Sequence, residues 1–408
     1  MEAMKIAEVV QTSEPVKDTY KIAYILHFFL GAGNLLPWNT FITAIDYFAY
    51  LYPAKHIERV FSVAYMTSSL LVLLLMIKGQ GSTMRSKVSF RLKMNVGFSM
   101  FVLSLMVTPT IDWAKGSSSM MWKSDGSFIA TVASVVMCGL ADGLIGGSLI
   151  GSAGKLPKEY MQAVFAGTAS SGVLVSVLRV ITKASLPENP RGLQTSAHFY
   201  FIVSAIIVVI CTICSNLLFR LPVMQEHCNK QLSQQHNHDP TTYRPELSDI
   251  AKKILHPTIG ILSIYVVTLS IFPGFISDDN HKSDLLKDWY PILVIMVYNF
   301  SDLAGKSLTA LLIPSNTTRV TWACLARVVF YPAFRANLHG PRWLKSEIFT
   351  VLLTFLLGIS NGYLTSTLMI LTPKSVSLLE AETAAVVMAM ALGVGLVVGS
   401  ILGWLWII

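Results

Sequence analysis

Runs of about 20 mostly apolar residues recur from Tyr20 almost to the last residue, as in "FIVSAIIVVICTICSNLLF" and "AVVMAMALGVGLVVGSILGW". A helix of that length matches the hydrocarbon thickness of a bilayer, where the backbone must satisfy its own hydrogen bonds. With 53% of its 408 residues hydrophobic and only 13% charged, and a mean hydropathy of +0.57, the chain is too apolar for a water-soluble globular fold. The expectation is an all-α polytopic membrane protein.

Eleven spans are expected, over 22–46, 60–78, 94–112, 127–152, 160–182, 198–219, 257–275, 290–313, 319–337, 347–371 and 383–408. Residues 220–256 form the longest polar break, so the spans divide into an N-terminal six-helix bundle (1–219), a cytoplasmic loop (220–256) and a C-terminal five-helix bundle (257–408). Met1 to Asp18 is polar and the first apolar run is long enough to stay as a span, so no cleaved signal peptide is expected.

Lys and Arg are more frequent on one set of connections, including Lys78, Arg85, Lys87, Arg91 and Lys93, then Lys155 and Lys158, then Arg220, Lys252 and Lys253. This bias places the N-terminus in the cytoplasm and the C-terminus outside. The net charge of +8 then matches anionic lipid at the inner membrane surface, and no basic patch interleaved with aromatics calls for nucleic acid. The sequons at Asn299 and Asn316 fall in a span and on a cytoplasmic loop, where neither is expected to be glycosylated.

Four of the five cysteines, Cys138, Cys211, Cys214 and Cys324, lie in apolar runs and read as small hydrophobes. The segment "SDDNHKSD" (Ser277 to Asp284) reads as a solvated loop, and His227, Cys228, His236 and His238 match no zinc spacing. No metal and no cofactor are expected. Nucleophile–base pairs, H-E-x-x-H and P-loop patterns are absent, which argues against an enzyme and against ATP-driven transport.

Gly139, Gly143, Gly147 and Gly151 recur at every fourth residue of the fourth span, and Gly395, Gly399 and Gly403 repeat the device in the last. Such stripes let a neighbouring backbone approach closely. Gly146 differs: it lies one turn beyond Asp142, so the space it leaves can be cavity beside a carboxylate.

Ionisable groups inside spans are costly and mark functional sites or buried pairs. Here they are His27, Asp142, Arg179, Asp302, Lys306 and Arg327. In "YNFSDLAGKS", Asp302 and Lys306 are four residues apart, so an ion pair on one helix face is feasible, and Asn299 lies one turn before Asp302. The pair reads either as self-neutralising or, with Asn299, as a polar stripe for a ligand rich in hydrogen-bonding groups. In "LGAGNLLPWNTF", Pro37 is expected to bend the first span beside Trp38 and Asn39. Trp38 reads equally as a packing aromatic or a platform for a flat ligand, and His27 as a packing histidine bonded to a carbonyl or a proton carrier.

Taken in order, "LLPWNTF", "NFSDLAGKS", "RVVFYPAF" (Arg327 to Phe334), "SNGYLTS" (Ser360 to Ser366) and "PKSV" followed by "AETAA" resemble the equilibrative nucleoside transporters, and the segment from Ala141 to Pro187 resembles plant members. The resemblance implies a major-facilitator-like fold that carries nucleosides such as adenosine and uridine, or nucleobases, by alternating access. It also implies that Leu35 and Trp38, with Leu71 and Leu74, line the pocket. Asp302 and Lys306 would meet the ribose hydroxyls, and Asn299 would help hold that geometry. Many members carry Arg at the position of Lys306 and Gln at that of Gly146, so base recognition must differ here. His27, Asp142, Gly146 and Arg179 are candidates for the cavity or for proton coupling. The expected membrane is the plasma membrane, with the vacuolar membrane as its alternative. From another class, a nucleoside-binding receptor or an intramembrane enzyme would bind or convert substrate without moving it.

Overall fold

The computed structural model describes residues 18–53, 55, 57–78, 89–115, 125–187, 189–226, 247–272, 289–341 and 346–403, and every regular element among them is a helix. The first part of the chain comprises α1 (Ile22–Thr43), α2 (Ile45–Leu51), α3 (Ile57–Lys78), α4 (Phe90–Lys115), α5 (Asp125–Lys155), α6 (Lys158–Ser185) and α7 (Pro190–Leu218). The second comprises α8 (Leu247–Lys253), α9 (Leu255–Ile271), α10 (Tyr290–Leu308), α11 (Thr317–Ala326), α12 (Phe330–His339), α13 (Glu347–Leu371) and α14 (Leu378–Leu402).

Among the described residues, seven helices are long and apolar enough to cross a membrane, or eight if α8 and α9, bent by 72°, form one span. Helices outside that set also carry polar groups. Helix α1 holds His27, Asn34 and Asn39, α10 holds Asp302 and Lys306, and a 3-10 turn at Arg327–Val329 separates α11 from α12. Pro332, without an N–H, follows that turn closely and favours the break.

Helix α1 lies along α6 and α7, while α5 packs between α3 and α4. In the second half α9 packs on α14 and α10 on α13. The halves meet where α6 lies against α10 and α13, and where α14 lies against α3 and α5. The expected glycine stripes form these contacts: Gly139, Gly143 and Gly147 face α3, Gly151 faces Glu382 and Val386 of α14, and Gly395 and Gly399 face α9.

At one end the two halves are tied by charge. Lys155 of α5 pairs with Glu382 of α14, and the Lys374 ammonium donates to the Leu156 carbonyl. Glu380 closes the N-terminus of α14, accepting from the Ser377 amide at 3.2 Å in a capping box, and it receives Lys253 Nζ at 2.6 Å.

Helix boundaries differ from those expected at the end of α10 and within residues 220–256. Pro37 lies inside α1 without ending it, and the chain turns at Ala44. A proline removes only one rung of the helix ladder, so hydrogen bonds continue on both sides of it. Helix α10 stops at Leu308, ahead of Pro314, rather than running to residue 313. Residues 247–253, expected in the long loop, form α8, with Asp249 in its first turn and Lys252 and Lys253 in its last, the order the helix dipole favours. Asn316 caps α11, its Oδ1 accepting from the amides of Thr318 and Arg319. Cys138, Cys211, Cys214 and Cys324 are buried free thiols.

Candidate functional site

The charged centre of α10 is built by close helix packing. A Cβ on Gly305 would stand 2.3 Å from the Ile359 carbonyl oxygen of α13, and one on Gly362 only 2.1 Å from that of Asp302. Without those side chains α10 and α13 come close enough for Asn361 to reach across. Its Nδ2 donates to Asp302 Oδ1 at 2.8 Å, and Lys306 Nζ holds Asp302 Oδ2, also at 2.8 Å. Asp302 is 7% and Lys306 5% exposed, so each charge is withdrawn from water and compensated by the other. A carboxylate oxygen accepts more than one hydrogen bond, so both Asp302 oxygens retain acceptor capacity.

Asn299 is arranged differently from the expected stripe. Its Nδ2 donates to Ser176 Oγ at 2.7 Å and to the Gly172 carbonyl at 3.2 Å, both on α6 in the other half. It therefore joins the halves, and Asn361 does the work of holding the carboxylate. An asparagine in the apolar run around "SNGYLTS" is the signal that marks Asn361; its partner is visible only in three dimensions.

A second polar cluster forms on α1, α3 and α5. Trp38 is half-buried and stacks on Tyr65, with ring centroids 4.3 Å apart. Ser69 Oγ donates to Asp142 Oδ2 at 2.7 Å. Asn34 and Tyr65 are buried and turn polar groups toward Asp142, while Asn34 Oδ1 has no hydrogen-bond partner. The space at Gly146 is bordered by Asn34, whose Nδ2 would lie 3.3 Å from an added Cβ. Leu35 is half-buried on the same helix as Trp38. Leu71 and Leu74 are 52% and 44% exposed, on α3 faces other than the one where Ser69, Val72 and Leu73 pack against α5. They are not gathered into either cluster, because rotation about the helix axis turns them away.

Helix α6 sets the two clusters at one level. Asn39, next to Trp38, donates to Ser171 Oγ at 2.9 Å, while the adjacent Gly172 and then Ser176 receive Asn299, one turn from Asp302. The α1 aromatic and the α10 ion pair are therefore arranged around the same short stretch of α6.

The remaining candidates lie away from that level. His27 is buried, its Nδ1 is 2.7 Å from the Ala23 carbonyl, and its ring packs at 5.0 Å on Tyr160. Arg179 pairs with Asp46 of α2 and reaches the Thr43 carbonyl at 3.4 Å, fastening the turn after α1 to α6. Residues 277–284 and His227, Cys228, His236 and His238 lie outside the described residues. Among the described residues, no group of three or more His, Cys, Asp or Glu side chains is placed to hold a metal.

A family model described as Nucleoside transporter matches residues 132–246 and 234–408. Equilibrative nucleotide transporter 8 of Arabidopsis thaliana is 53% identical over 405 residues, covering 98% of this chain and 99% of that one. Equilibrative nucleotide transporter 1 of the same plant is 46% identical over 407 residues, covering 97% and 88%. Among solved structures, the major facilitator superfamily proton:xylose symporter XylE superposes with a TM-score of 0.66 at 11% identity, over 96% of this chain and 89% of that one. The E. coli fucose:proton symporter FucP gives 0.58 at 11% identity, over 96% and 92%. These likenesses show a major-facilitator fold. The relatives are transporters rather than enzymes or receptors, so this multi-pass membrane protein is a transporter and belongs to the nucleoside transporter family.

Proposed function

We propose that the chain carries nucleosides across a membrane by alternating access, through eleven crossings arranged as six plus five. The observation that carries this reading is the buried Asp302, held at both oxygens by Asn361 and Lys306, at the α6 level where Trp38 lies. A nucleoside joins a flat base to a sugar bearing vicinal hydroxyls. Trp38, with Leu35, offers an aromatic and apolar wall to the base, and the Asp302 carboxylate offers acceptors to the hydroxyls. Lys306 neutralises and orients that carboxylate.

Helix α6 of the first half and α14 of the second make the contacts between the halves, and rocking about these contacts moves the opening from one face to the other. The Lys155–Glu382 pair holds one end shut in the conformation described. The distribution of Lys and Arg supports that end as cytoplasmic, in a plasma-membrane protein with its N-terminus inside.

Saturable uptake of labelled adenosine or uridine into liposomes holding the purified protein tests the reading. Asp302→Asn should remove most of it, and normal uptake by that variant would overturn the sugar-binding role. If transport is coupled to protons, the group that would carry them is Asp142, which is surrounded by the neutral Ser69, Tyr65 and Asn34, whereas Asp302 is committed to Lys306. Uptake against a gradient that a protonophore abolishes marks symport; uptake that only equilibrates marks facilitated diffusion.

A further inference from the structure

Arg327 occupies the turn between α11 and α12 and is 3% exposed. Its Nη1 donates to the Ile264 carbonyl at 3.1 Å, and its Nη2 donates to the Leu357 carbonyl at 3.0 Å and to Thr268 Oγ1 at 2.9 Å. All three acceptors are neutral. From Thr268 the bonds continue inward: Thr268 Oγ1 donates to Asn361 Oδ1 at 3.0 Å, and Asn361 Nδ2 to Asp302 Oδ1 at 2.8 Å.

The polarity of this chain follows from Arg327. A guanidinium only donates. Threonine hydroxyls inside helices commonly return their hydrogen to the carbonyl four residues back, as Thr40, Thr212 and Thr258 do here. For Thr268 that carbonyl is Ile264, and it already accepts from Nη1. The Thr268 oxygen accepts from Nη2, so its hydrogen is directed to Asn361 Oδ1. With its oxygen committed there, the Asn361 amide turns its NH₂ to Asp302.

We propose that Arg327 is a positioning residue for substrate: through Thr268 and Asn361 it fixes the Asp302 carboxylate so that one acceptor direction on each oxygen stays open to vicinal sugar hydroxyls. This inference rests on the sugar-binding reading of Asp302. The device lies entirely within the second half, across α9, α13 and the Arg327 turn, so it travels with that half during rocking.

The readout is the ratio of KM values for a ribonucleoside and its 2′,3′-dideoxy counterpart, which does not depend on how much protein reaches the membrane. Thr268→Val removes the hydroxyl but keeps the shape, and it should reduce the preference for the ribonucleoside roughly 3- to 10-fold. Thr268→Ser should keep the preference. Arg327→Lys, which retains charge without the planar fork, should shift it as Thr268→Val does. Where a variant transports too little, the same comparison is made on the substrate-induced Tm shift of the purified protein. An unchanged preference in Thr268→Val overturns the relay. Asp302→Asn, measured alongside, separates the two failures: if it abolishes the preference while Thr268→Val does not, the relay alone falls, and if it also leaves the preference intact, the sugar-binding reading falls with it.

Discussion

Asp302 and Asn361, 59 positions apart in sequence, are joined by a 2.8 Å hydrogen bond across two helices that touch through glycine. Asn361→Leu keeps the branched skeleton but removes the donor, leaving Asp302 Oδ1 without its amide and the Thr268 hydroxyl hydrogen without an acceptor. The expected cost is about 1–3 kcal/mol, read as a lower Tm of the purified protein, with a raised KM for nucleosides in liposome uptake.

Lys306→Arg keeps the charge beside Asp302 but places a larger planar group where the lysine is 5% exposed. Overpacking should cost about 1–3 kcal/mol, while the compensated carboxylate keeps uptake measurable. Lys306→Met instead leaves the buried carboxylate without its cation, at a cost of about 3–5 kcal/mol. Thermal unfolding of the two proteins should rank arginine above methionine, and the reverse order would refute the compensating role of the lysine.

Glycines at different contacts should respond differently to alanine. Gly362→Ala puts a Cβ 2.1 Å from a backbone oxygen of α10, which forces the helices apart, and uptake and Tm should both fall sharply. Gly146→Ala meets only the Asn34 side chain at 3.3 Å, so it should be tolerated. Gly146→Gln introduces an amide near Asp142 and Trp38, and competition uptake across purine and pyrimidine nucleosides should show a several-fold change in their order, the worth of about one hydrogen bond.

Lys155 and Glu382 tie the halves at one end with side chains 25% and 28% exposed. Glu382→Gln should favour opening of that end, by less than about 1 kcal/mol because water screens the pair. Labelling of a cysteine introduced at Leu156 should speed up in the variant and return toward the parent rate when the charges are exchanged as Lys155→Glu with Glu382→Lys.

Much of the architecture is legible along the chain because bilayer length and apolar character are local properties. The helices α3 to α6 and α13 follow the expected apolar runs closely, α7 starts at Pro190 rather than at residue 198, and the glycine stripes at Gly139 to Gly151 and Gly395 to Gly403 mark real contacts. The helix ends were less legible: α10 stops early, and α8 forms inside a polar stretch. Asn299 shows the limit most clearly, since helical spacing aligns it with Asp302 while its hydrogen bonds go to α6.

By itself the sequence determines a helical membrane protein, the order of its helices, and the Asp302–Lys306 pair, because four-residue spacing brings two side chains together within one helix. Only the tertiary structure decides that Asn361 holds Asp302, that Arg327 stands behind it through Thr268, that Asn34 borders Gly146, and that Leu71 and Leu74 face away. Those relations depend on the rotation of each helix about its axis and on how closely two backbones approach. Both are set by contacts between residues far apart in the chain.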